Sequence, residues 1–185
     1  PVRIGRVTIG PDNPVAPQSM TNCPTTDTVV CVAQIRALHE AGCNIVRLTV
    51  QGRREAENLK NIREEAARQG LGGVALVADI HFTPAVAELV VDYVDKVRIN
   101  PGNYGGPGDN FVRLIEKCKA RGVALRIGVN HGSLSPHIVE KWGDTPRGMV
   151  ESAMEYLTVC RERGFDQVVV SMKSSNVRVM VHAYR

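Results

Sequence analysis

Aromatic residues make up only 4% of this 185-residue chain, and paired cysteines, nucleotide-type glycine loops and long apolar runs are missing. Each absence removes a class of function. Few aromatics and no lysine or arginine run, in a chain whose 23 basic and 19 acidic residues give a formal charge of +4, speak against a nucleic-acid partner. No apolar stretch approaches the roughly 20 residues needed to span a bilayer, and residues 1–10 lack the apolar centre of a signal peptide. We therefore expect a cytoplasmic protein without membrane contact. Cys23, Cys31, Cys43, Cys118 and Cys160 form no C-x-x-C pair and have no histidine at metal-ligand spacing, so no metal site is expected within the chain. The last four read as reduced, buried thiols, whereas Cys23 follows a strand in a loop and is a candidate for lining a site. Walker, G-x-G-x-x-G and Ser/His/Asp hydrolase patterns are also absent.

What is present is a regular alternation. The stretch Asp95 to Asn103, DKVRINPGN, places Val97 and Ile99 on one side of a strand and Lys96, Arg98 and Asn100 on the other. Pro101 and Gly102 are expected to stop it. Similar strands are read at Asn44–Val50, Val74–Ile80, Ala124–Asn130 and Gln167–Lys173. Helices are read at Val29–Ala41, Arg53–Arg68, Pro84–Asp92, Asn110–Arg121, Pro136–Trp142, Pro146–Arg163 and Asn176–Arg185. An entry hairpin is expected from Val2–Ile9 and Val15–Met20, and the chain as a whole reads as six strand–helix units.

Alternating strands and helices imply a parallel sheet with right-handed crossovers. Central strands of a doubly wound sheet are uniformly apolar, but here polar residues recur on one parity, as an inner barrel wall requires. The fold class is α/β, a TIM-type (β/α)8 barrel. A complete barrel takes roughly 250 residues, so residues 1–185 read as a truncated barrel domain whose pattern breaks off within a helix.

Parity also selects the site. With Val46, Leu48 and Val50 turned to the helices, Arg47 and Thr49 face inward; Asp79 and His81, Arg98 and Asn100, Arg126 and Asn130, and Ser171 and Lys173 follow in the later strands. All lie late in their strands. Active sites of such barrels open at the carboxyl ends of the strands, so these residues and His131 should converge. Arg47, Arg98, Arg126 and Lys173 against Asp79 leave a formal charge of about +3, which is costly to bury without an anionic ligand. Guanidinium forks match phosphate oxygens, and their number suits a diphosphate. A single inward arginine is as readily an ion-pair partner as a ligand clamp, but together they have too few acids. His39, His137 and His182 have no such setting, and the Gly-containing turn Asn130 to Ser133 offers backbone N–H groups to an anion.

Six blocks taken together resemble the 4-hydroxy-3-methylbut-2-enyl diphosphate synthase family: SMTN at Ser19–Asn22, VADIHF at Val77–Phe82, KVRINPGN at Lys96–Asn103, RIGVNHGSL at Arg126–Leu134, GDTPRGMVESA at Gly143–Ala153 and SMKSSN at Ser171–Asn176. They run in the family's order, and TVQGRREAE at Thr49–Glu57 resembles its larger, three-domain variety. The resemblance implies reductive ring opening of 2-C-methyl-D-erythritol 2,4-cyclodiphosphate in non-mevalonate isoprenoid biosynthesis, with two electrons passing through a [4Fe-4S] cluster and loss of water. It implies ferredoxin or flavodoxin as donor and a homodimer. It assigns substrate binding to Arg47, Arg98, Asn100, Arg126, Asn130, His131, Ser171 and Lys173, and hydrogen-bonding or proton-handling roles to Asp79 and His81. Nothing here resembles the family's cluster motif, so the cluster belongs to a carboxyl-terminal domain that this chain lacks, and the fragment alone should be inactive. The alternatives are another phosphate-using barrel of the dihydropteroate synthase type and a non-catalytic phosphometabolite-binding module.

Overall fold

In the computed structural model, which describes residues 1–81 and 83–185, the strands and helices alternate throughout; Phe82, at the end of the VADIHF block, lies outside the described residues. The chain opens with β1 (Val2–Ile4) and β2 (Val7–Ile9), an antiparallel pair turning at Gly5 and Arg6. Six units then follow: β3 (Gln18–Met20) with α1 (Thr28–Glu40), β4 (Ile45–Val50) with α2 (Arg53–Arg68), and β5 (Ala75–Ile80) with α3 (Pro84–Val90). Next come β6 (Lys96–Ile99) with α4 (Pro101–Tyr104) and α5 (Asp109–Arg121), β7 (Ala124–Asn130) with α6 (Pro136–Trp142) and α7 (Pro146–Glu162), and β8 (Val168–Lys173) with α8 (Val177–Tyr184). Among the described residues β3 to β8 form one parallel sheet in sequence order, curled into a half-barrel.

Two expectations are corrected here. The hairpin closes within Val2–Ile9, and the segment ending at Met20 is instead the first parallel strand, paired through Ser19 and Val46. Positive φ at Gly5 makes the tight reversal available, which the reading by apolar run had missed. Pro101 does end β6, but it also begins a helix: Asn100 caps α4 by accepting from the Gly102 N–H at 3.1 Å, and proline fits the first helical turn.

The outer wall follows from side-chain period. Val46, Leu48 and Val50, Leu76, Ala78 and Ile80, Val97 and Ile99, and Leu125, Ile127 and Val129 are all buried against the helix layer. On α2 the buried positions Ala56, Leu59, Ile62 and Ala66 recur at helical spacing, leaving its charged residues to solvent. The opposite strand face is stratified. At its amino-terminal end Ile45, Ala75, Val77 and Ala124 form a separate apolar cluster with Ile4, closed from below by Val2, Val7 and Ile9 of the hairpin. The hairpin is thus a floor plug.

Candidate functional site

Above that plug the inward residues are charged. Parallel register aligns Thr49, Asp79, Arg98 and Arg126 across four strands, with Arg47 one inward step below in β4. Asp79, only 4% exposed, joins two of the arginines: its Oδ1 accepts from Arg98 Nη1 at 2.9 Å and its Oδ2 lies 3.3 Å from Arg47 Nε. Arg98 is equally buried and spends another donor on the Gly128 carbonyl at 3.2 Å. Gly128 is required there, since an added Cβ would stand 2.7 Å from Arg98 Nε. A strand glycine here marks close approach of a guanidinium to the backbone.

Arg126 has no such acid. Its Nε and Nη2 both donate to Ser171 Oγ, at 3.1 and 2.9 Å, so one neutral hydroxyl serves two charged donors. Burial, followed by repulsion from Arg47 and Arg98, holds the Arg126 pKa below its usual value. Lys173, exposed at the end of β8, is lowered for the same reasons, desolvation first and then Arg126, Arg47 and Arg98. Among the described residues Asp79 is the acid that opposes them.

The sequence reading missed a fifth cation. Lys96 is read on the polar face of its strand but is not among the residues expected to converge. It is 3% exposed, aligned with Arg47, Val77 and Ala124, and its Nζ donates to Gln18 Oε1 at 3.2 Å. Burial, then Arg126 and Arg47, pull its pKa down to about 8. The rule that every inward polar residue lies late in its strand therefore fails at Lys96, which stands level with Arg47 and one inward step below Arg98 and Arg126. Its signal was available in the same alternation that selected Arg98.

The remaining expected residues divide. Asn130 ends β7 with its Oδ1 buried and without a hydrogen-bond partner among the described residues, and His81 is half-buried at the end of β5. Asn100 has structural work. Besides capping α4, its Nδ2 donates to Ser133 Oγ at 3.1 Å, tying the β6 and β7 loops together. Gly102 lets those loops meet: a Cβ there would fall 1.6 Å from the Ser133 carbonyl oxygen. The turn's glycine thus accommodates protein backbone.

His131 turns towards the loop before α7, its Nε2 donating to the Asp144 carbonyl at 3.1 Å. The backbone cradle expected at Asn130 to Ser133 is already used: the N–H groups of His131, Gly132 and Ser133 donate to the Lys173 carbonyl, Asp144 Oδ1 and the Asn130 carbonyl. An anion would have to displace one of these bonds. Side-chain cations, rather than a backbone nest, define the electrostatics of the site.

Among the described residues no group of three or more His, Cys, Asp or Glu side chains comes together in a way that could hold a metal ion, and no helix is long and apolar enough to cross a membrane. Cys118 and Cys160 are buried in the helix-facing core, far in function from the polar strand face. The donor set does not fit an iron–sulfur cluster.

Comparison with known proteins bears on the whole chain. The family model described as the GcpE TIM-barrel domain matches residues 1–185. The 4-hydroxy-3-methylbut-2-en-1-yl diphosphate synthase (flavodoxin) of Leptospira interrogans is 48% identical over 204 residues, covering all of this chain and 31% of that protein. Proteins of the same name from Bacteroides fragilis and Chlamydia abortus are 48% and 49% identical over 205 residues, again covering all of this chain and 33% and 34% of theirs. The chain spans about a third of the length of these curated relatives. Among solved structures, a phospho-2-dehydro-3-deoxyheptonate aldolase from Thermotoga maritima superposes with a TM-score of 0.60 at 17% identity, over 95% of this chain and 46% of that one. An N-acetylmannosamine-6-phosphate 2-epimerase from Clostridium perfringens gives 0.50 at 13% identity, over 90% and 69%. At such identities the likeness is one of fold.

Proposed function

The chain belongs to the GcpE TIM-barrel domain family, and from that premise we propose that it is the substrate-binding barrel of a 4-hydroxy-3-methylbut-2-en-1-yl diphosphate synthase. On this reading the substrate is 2-C-methyl-D-erythritol 2,4-cyclodiphosphate, opened reductively by two electrons with loss of water, and flavodoxin, which the relatives' names carry, is the electron donor. The relatives' names lend nothing to a pterin-binding synthase. One observation carries the proposal: Arg47, Lys96, Arg98, Arg126 and Lys173 crowd one concave face on which Asp79 pairs with Arg47 and Arg98. That excess is a demand for anionic charge.

The roles follow from the contacts. Arg47 and Arg98, fixed by Asp79, present guanidinium edges of set orientation, while Arg126, held only by Ser171, is the guanidinium with most to gain from a phosphate oxygen. Asp79 acts chiefly as the post that positions Arg47 and Arg98. Lys173 reaches the anion from the rim, and Asn130 Oδ1 is an acceptor for a substrate hydroxyl. His81 is the proton-handling group of the set. The [4Fe-4S] cluster is not held by this chain's residues; its ligands belong to another part of the protein, which on this reading meets the barrel across a homodimer.

Isothermal titration of the full-length protein with the cyclodiphosphate tests this. Binding should weaken on the order of 100-fold or more in Arg98→Met, where one arm of the buried Asp79 pair and a phosphate donor are lost together. Unchanged affinity in Arg98→Met would overturn the proposed site.

A further inference from the structure

The anion site makes no use of the two thiols between β3 and the first turns of α1. Cys23 is half-buried in the loop between β3 and α1, and Cys31 is fully buried on the first turns of α1. Their Sγ atoms are 3.3 Å apart, and Cys31 Sγ also contacts the Pro24 carbonyl at 3.4 Å. A disulfide holds its sulfurs at about 2.05 Å, so closure requires a movement of roughly 1.3 Å.

The intervening loop is braced for that approach. The Thr25 hydroxyl donates to the Thr49 carbonyl at 2.7 Å, Asn58 Nδ2 donates to the Thr25 carbonyl at 2.9 Å, and Asp27 caps α1 through the Val30 N–H. Little chain entropy remains to be lost on joining the two sulfurs. Cys23 also lines a cavity of about 250 Å3 with Thr25, Thr49, Gln51 and Glu55, beside the carboxyl end of β4. A small oxidant has room to reach it.

We propose that Cys23 and Cys31 are an oxidisable dithiol, closed by a hydroperoxide to an intramolecular disulfide at the rim of the strand-end site. In the first step the Cys23 thiolate attacks one peroxide oxygen and the O–O bond breaks. The departing oxygen takes a proton and leaves as water or an alcohol. Cys23, oxidised by two electrons, becomes a sulfenic acid. In the second step Cys31 sulfur attacks Cys23 sulfur, the S–O bond breaks, and the Cys31 proton leaves with the hydroxyl as water. Two thiols and one hydroperoxide thus give one disulfide, one water, and one further water or alcohol. The order of events follows from access: burial above all, with the hydrogen bond and charge of Cys23 and then Asp27, pushes the Cys31 thiol up to about 12, so Cys31 is the resolving partner.

The test is peptide mapping of the full-length protein after stoichiometric hydrogen peroxide, removal of the peroxide with catalase, and alkylation of remaining thiols under denaturing conditions. Both cysteines lie in one tryptic peptide, Val7–Arg36. The expected product is that peptide two hydrogens lighter and unlabelled, restored by dithiothreitol, while Cys43, Cys118 and Cys160 keep their labels. In Cys31→Ser, Cys23 should instead be trapped as a sulfenic acid by dimedone. Wild-type protein in which Cys23 proceeds to sulfinic acid while Cys31 stays alkylatable, or in which Cys23 pairs with another cysteine, would overturn the proposal.

Discussion

The two ends of the half-barrel interior are built from the same strands and obey opposite rules. At the amino-terminal end Ile45, Ala75, Val77 and Ala124 pack on Ile4 of the hairpin in a dry cluster. Higher on the same face the buried Arg98 and the half-buried Arg47 and Arg126 gather around Asp79, with Lys96 level with Arg47. The lower layer lowers the free energy of the folded chain by removing apolar surface from water. The upper layer raises it, because like charges are desolvated together. On the proposed reading, stability and anion recognition are separated by height along the strands, and substitutions should distinguish them.

The largest effect on stability is expected at the plug. Ile4→Ala removes a fully buried side chain from a small cluster and should cost about 2–4 kcal/mol, read by chemical denaturation. Affinity of the folded fraction for the cyclodiphosphate should be unchanged. Loss of affinity without loss of stability would break the separation of the two layers.

Lys96 sharpens the boundary through pH. Its pKa is near 8 in the folded protein and 10.5 when free. Between those values the unfolded chain holds the proton and the folded chain does not, so Lys96 makes stability rise as pH increases from about 8 towards 10.5. Below pH 8 both states are protonated and the folded one bears the full cost of burying the charge. Buried Cys31, Cys118 and Cys160, each pushed up to about 12, pull stability the other way above about pH 9, so the Lys96 contribution is read as a difference: by denaturation at several pH values, wild-type stability relative to Lys96→Met should rise from pH 8 upward. An anion placed above Lys96 favours its charged form, so binding near pH 8.5 should take up protons in the wild type. Calorimetry in buffers of different ionisation enthalpy should find that uptake absent from Lys96→Met.

The smallest effect is expected at His131. Since its Nε2 is engaged with the Asp144 carbonyl, His131→Ala should change affinity for the cyclodiphosphate by less than about threefold, measured by titration calorimetry. A loss comparable with that at Arg98 would return His131 to the anion-contacting set.

These contrasts also show how far residues alone could be read. Period two in the strands selected Arg47, Asp79, Arg98, Arg126 and Ser171, and the structure sets them side by side, Asp79 with Arg47 and Arg98 and Arg126 with Ser171, because parity in a registered parallel sheet is a geometric constraint. Lys96 stands in the same pattern, but parity does not report height along the strand, so it gave no ground for naming Lys96 with the others. The true hairpin depended on a turn at Gly5 and Arg6 too short to stand out against a longer apolar run. The engagement of His131 with Asp144 and the meeting of Gly102 with the Ser133 carbonyl join separate loops, and no local sequence rule reports such contacts.

The central claim is that the arginine layer is maintained for an anion at the expense of the fold, and Arg126 exposes it most clearly because Ser171 rather than a carboxylate holds it. Thermal melting of the full-length wild type and Arg126→Met, each with and without the cyclodiphosphate, measures both sides of that claim. We expect Arg126→Met to melt at or above the wild-type temperature without ligand and to gain distinctly less from it. A variant that melts several degrees lower on its own, yet gains the full wild-type increment from the cyclodiphosphate, would contradict the account.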